Sequence, residues 1–94
     1  MKLKEFFKSE KNWHQGSYCP DKSVRAKDLK NLSKNFDCLC LFGALLYCYR
    51  GEYNRRMEVW KLINEEVDRG MSGWNDDPKR TFQDVRDLVE KLDI

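Results

Sequence analysis

The residues with which this chain could do chemistry are few: Cys19, Cys38, Cys40 and Cys48, the single histidine His14, and the run Trp74-Asn75-Asp76-Asp77-Pro78-Lys79-Arg80-Thr81. Cys19 with His14 would be a thiol nucleophile and its base, but no third group to orient the imidazole is evident beside them. The four cysteines with His14 would be a zinc set. Zinc sites favour Cys-x2-4-Cys pairs on turns, whereas Cys38 and Cys40 are separated by one residue on an expected helix and point to nearly opposite sides. Reduced, metal-free cysteines serving as small hydrophobes are the plainer reading. Cys40 and Cys48 would lie about 12 Å apart along a helix axis, too far to pair with each other. Asp76 and Asp77 are adjacent carboxylates whose side chains diverge, and Asp before Pro is common turn chemistry. Gly-rich phosphate loops and the known serine and zinc-protease motifs are absent. No enzyme activity and no cofactor are expected.

The run from Trp74 supports two readings. As structure, an Asn or Asp side chain folds back onto backbone N–H groups to hold a tight turn while Trp74 closes over the helices. As a site, Trp74, Asn75, Asp76 and Arg80 meet Trp13 and Tyr18 and present stacking faces, an amide and a guanidinium to a ligand. Those six are the candidate binding residues.

The elements that must position them follow from periodicity and caps. Leu3, Phe6 and Phe7 predict a short amphipathic helix. Residues 12–23 carry Gly16 and Pro20 and predict a loop, with a short extended segment near 13–19. Lys27–Ser33 adds a helical turn around Leu29 and Leu32. The spacing then predicts a central apolar helix over about 36–50, capped by Asn35 and ended by Gly51, with Gly43 permitting close approach of a neighbour. A third helix over 52–69 turns Tyr53, Met57, Trp60, Ile63 and Val67 inward and stops at Gly70. A loop holding Gly73 and Pro78 leads to Thr81, whose Thr-x-x-Asp pattern opens a last helix with Phe82, Val85, Leu88, Val89 and Leu92 on one face. Leu41, Leu45, Trp60 and Val85 are expected to be buried together in a mostly α, single-domain fold spanning 1–94.

Composition agrees with one domain. The 94 residues are 40% apolar and 13% aromatic, enough to build a core. The formal charge is +2, but residues 1–34 hold nine Lys or Arg against four acids, and the remainder nine against twelve. A basic first third suits phosphates or an acidic protein surface, although a lysine-rich surface is commonly just a solvated face. No continuous apolar run approaches the length of a membrane span, and Met1–Lys11 lacks the apolar core of a signal peptide. A soluble protein of a reducing cytoplasm, without membrane contact, is expected.

Trp13-His14-Gln15-Gly16, Cys40-Leu41-Phe42-Gly43-Ala44-Leu45 and Trp74-Asn75-Asp76 with Pro78 and Arg80-Thr81, in that order before an amphipathic helix, resemble an uncharacterised domain family of small proteins from bacteria and their phages. The Lys-rich stretch 22–34 departs from the pattern. The resemblance implies a compact helical fold and a phage or mobile-element setting, and no catalytic residue. The function expected is stoichiometric binding to a host protein, including inhibition of a host defence system in the manner of anti-CRISPR proteins. Alternatives are a small-ligand or nucleotide-binding protein using the Trp13 and Trp74 region, and a nucleic-acid binder using the basic first third.

Overall fold

In a computed structural model describing Met1–Ile94, six helices and no paired strands follow one another along the chain. They are α1 (Leu3–Phe6), α2 (Ala26–Leu29), α3 (Leu41–Cys48), α4 (Tyr53–Glu66), α5 (Gly70–Asp76) and α6 (Phe82–Leu92), with one 3-10 turn over Glu10–Asn12. The mostly helical fold agrees with the periodicity. α3 lies at the centre, against α1, α2, α4 and α5, and α1 also packs on α6. Seven of its eight residues are buried, as a helix apolar on nearly every side requires.

The central helix begins five residues later than its hydrophobic run. Residues 36–40 are non-helical because their backbone groups pair with the first loop: Leu39 N donates to Asn12 O (2.9 Å), His14 N to Leu39 O (3.2 Å) and Cys40 N to Tyr18 O (2.8 Å). The Trp13–Leu39 contact is a single parallel bridge, which is the extended segment expected near 13–19 in its shortest form. Cys40, not Asn35, is the N-cap, its Sγ accepting from Gly43 N at 3.2 Å. Gly43 allows this loop to close: a Cβ there would sit 3.3 Å from Tyr18 O. At the other end Gly51 takes a left-handed φ of +78° and turns the chain into α4.

The expected inward stripe of α4 holds only at its C-terminal end: Ile63 and Val67 are buried as expected, but the helix is rotated so that Val59 replaces Trp60 at the core. Val59 and Ile63 are its buried residues, followed by Val67 just beyond the helix, whereas Tyr53 is 64% exposed and Trp60 41% exposed. Trp60 therefore does not join Leu41, Leu45 and Val85, which are buried. Leu32 is likewise exposed, because α2 ends at Leu29. Arg69 and Gly70 then adopt left-handed φ values of 64° and 75°, and this pair starts α5 where a loop was expected. The predicted cap of α6 is present: Thr81 Oγ1 accepts from Asp84 N (3.2 Å) and Thr81 N donates to Asp84 Oδ2 (2.9 Å).

Candidate functional site

Asn75 is the polar centre of the molecule. It sits on α5, is 1% exposed, and is the one buried polar residue in an otherwise apolar core. Its Oδ1 accepts from Trp13 Nε1 (2.7 Å) and from Leu41 N (3.0 Å), while its Nδ2 donates to His14 O (3.1 Å) and Asp76 Oδ1 (2.9 Å). Both acceptor sites and both hydrogens of the amide are used. The Leu41 N–H belongs to the first turn of α3 and has no partner within its own helix, so α5 caps α3 through this side chain.

The neighbours extend the same network. Gln15 Nε2 donates to the carbonyls of Asn75 (2.8 Å) and Asp77 (2.9 Å), and Gly16 N donates to Asp76 Oδ1 (3.0 Å). Arg80 lies over the Trp74 ring, its Cζ 4.2 Å from the centroid, and its Nε donates to Trp74 O at 2.8 Å. Asp77 accepts from Lys79 N (2.9 Å) and from Arg69 Nη2 (2.6 Å), and these two hold its carboxyl below the usual carboxylate range. Thus Trp13, Trp74, Asn75, Asp76 and Arg80 are brought together, and they bind chiefly one another and the 13–16 backbone. A shallow cleft of about 250 Å³ beside Trp74 and Arg80 is bordered by Asp84, Asp87 and Lys91.

Tyr18 belongs elsewhere. With Phe42 it forms the wall of a separate open groove of about 300 Å³, on which Lys22, Val24 and Arg25 also border. His14 and Cys19 do not face each other as a base and nucleophile would. The Ser17 hydroxyl donates to Cys19 O (2.8 Å), so at 3.1 Å it receives a hydrogen bond from His14 Nε2. The Cys19 thiol donates to Asp21 O. All four cysteines are free thiols, and burial pushes Cys48 up to about 12. No group of three or more His, Cys, Asp or Glu side chains is gathered as a metal site would need.

Two surface features are not legible in the sequence. One is the Tyr18–Phe42 groove, whose walls are 24 residues apart in the chain. The other is the α4 face, where Tyr53, Met57 and Trp60 are one helical turn apart; Met57 and Trp60 border a cleft of about 190 Å³ with Phe42 of α3, and Trp60 borders a second of about 300 Å³ with it. The spacing of those three had been visible, but an inward and an outward stripe share it.

Comparison with known proteins adds one finding. Residues 7–92 match the family of unknown function DUF6197, so the chain belongs to that family. No curated protein and no solved structure matches it.

Proposed function

We propose that this member of a family without an assigned activity is a non-enzymatic binding protein that acts by stoichiometric contact with another protein, through the α4 face. The observation that supports the reading is the burial pattern of α4. This is the longest helix, yet only two of its fourteen residues are buried: Tyr53 and Trp60 are exposed, and Met57 is half-buried between Trp60 and Phe42. Contiguous exposed apolar surface rimmed by polar groups marks contact sites, and binding energy concentrates in Trp, Tyr and Arg. Arg56 supplies the last of these: its guanidinium lies 5.4 Å from the Tyr53 centroid and makes no ion pair. Lys61, like Arg56, makes no ion pair, so the complementary partner surface is apolar at its centre and acidic at its edge. A standard interface of about 800 Å² per side would cover roughly a seventh of the 5632 Å² surface.

The bacterial and phage setting implied by the motif resemblance makes the partner a host protein, a defence component included, inhibited by occupation of its surface. The test is site-specific photo-cross-linking from position 53 or 57 in a bacterial host. A single host protein should be cross-linked, and the purified pair should re-form one to one, with Trp60→Ala weakening it at least about 30-fold while leaving the melting temperature within a few degrees. A chain that instead dimerises through Trp60, or a re-formed pair indifferent to Trp60→Ala, refutes the reading.

A further inference from the structure

We propose that the groove between the 17–25 loop and the start of α3 is a nucleotide site, taking a nucleobase on its aromatic wall and a phosphate at its cationic rim. This site shares Phe42 with the α4 face but does not depend on a protein partner there.

Three features of the groove converge on that ligand. Its wall is aromatic: the half-buried Tyr18 and Phe42 rings have centroids 6.2 Å apart and planes inclined at 36°, so they pack on each other and leave faces for a third ring, with Val24 alongside. Aromatic faces stack any base. Its rim is cationic: Lys22 and Arg25 both line the groove, and neither takes part in any of the eight ion pairs of the molecule. Arg25 Nη1 rests near Lys22 O at 3.5 Å, which keeps the guanidinium beside the Lys22 turn with its other N–H groups free for an anion.

The third feature is an acid that a simple anion site would lack. Asp21 also lines the groove, and its Oδ1 is occupied by Ser23 N (3.0 Å) and Ser23 Oγ (2.7 Å). Its Oδ2 has no hydrogen-bond donor and can accept from an exocyclic amino group. Ring, anion and amino group together describe an amino-bearing nucleotide such as AMP or CMP better than an aromatic carboxylate or a bare phosphate. The volume of about 300 Å³ is at the lower end for small-molecule sites, which limits the occupant to one base with its sugar phosphate. The same chemistry comes from a free mononucleotide or from the end of a single-stranded nucleic acid.

The experiment is an amide-resolved NMR titration with AMP, adenosine, inorganic phosphate and a 5′-phosphorylated single-stranded hexanucleotide, with affinities from calorimetry at low salt. AMP should shift the amides of 17–25, Phe42 and Ser72, and should bind at least about tenfold tighter than either adenosine or phosphate. Lys22→Gln with Arg25→Gln, both exposed and unpaired, should leave the melting temperature in place and weaken AMP at least about tenfold. Tyr18→Ala should weaken AMP, with Tyr18→Phe restoring it. A hexanucleotide more than about tenfold tighter than AMP identifies a strand end as the source, and equal affinity identifies the free nucleotide. Either result supports the site. Absence of shifts in the groove at millimolar AMP, phosphate binding as well as AMP, or full affinity in the double Gln variant overturns the proposal.

Discussion

Replacing Asn75 should destabilise the fold without abolishing it. Asn75→Ala leaves the buried Leu41 N–H without a partner, which costs about 1–3 kcal/mol, and strips the Trp13 indole N–H and the His14 carbonyl of bonds worth about 1 kcal/mol each. The sum is about 3–5 kcal/mol, against a total stability of about 5–14 kcal/mol for a chain of this length. At about 4–8 °C per kcal/mol, the melting temperature should fall by at least about 12 °C. Trp13 and Trp74 both border Asn75, so tryptophan fluorescence follows the transition. Amide exchange at Leu41 reads the lost cap directly. Asn75→Asp sharpens the test, because a carboxylate cannot donate to His14 O and would face Asp76 Oδ1. The introduced carboxyl therefore has a raised pKa in the folded state, so this variant should be closest to the native protein below about pH 4 and should lose ground steadily as pH rises. An Asn75→Ala protein melting within about 2 °C of the native one, with Leu41 still protected, would refute the account of the hub.

Leu45→Ala, in the 1% exposed centre of α3, should cost about 2–5 kcal/mol by urea denaturation, and an unchanged midpoint would contradict its central placement. The carboxyls of Asp77, held by Lys79 N and Arg69, and of Asp93, held by Lys4 and Lys2, lie below the usual range. Their contribution is complete above about pH 4 and disappears as pH falls through their folded values, so the urea midpoint should drop on acidification and Asp77→Asn should flatten part of that drop. A thiol reagent near neutral pH should leave Cys48 unmodified until the protein unfolds, since burial raises its pKa to about 12, and all four thiols should react in denaturant. Arg80→Ala should cost about 1–3 kcal/mol through the lost Trp74 carbonyl bond and ring contact, read as an earlier melting transition.

What the sequence by itself determined was local. The Thr81–Asp84 cap, the left-handed Gly51, the amphipathic α6 and the buried apolar run of α3 are each specified by neighbours in the chain or by one residue's stereochemistry. The mostly helical class followed from these. Tertiary structure decided what depends on residues far apart. Residues 36–40 satisfy a helical pattern, but hydrogen bonds from the 12–18 loop compete for their backbone and keep them extended. The stripe Tyr53–Met57–Trp60 and the stripe Val59–Ile63 share one helical period, and only the placement of α4 against α3 and α5 selects which is buried. Asn75 was visible as a turn former or a ligand donor. Its role as cap of α3 required an acceptor 34 positions along the chain to arrive at one N–H, because hydrogen bonding has no periodicity from which such a pairing could be read.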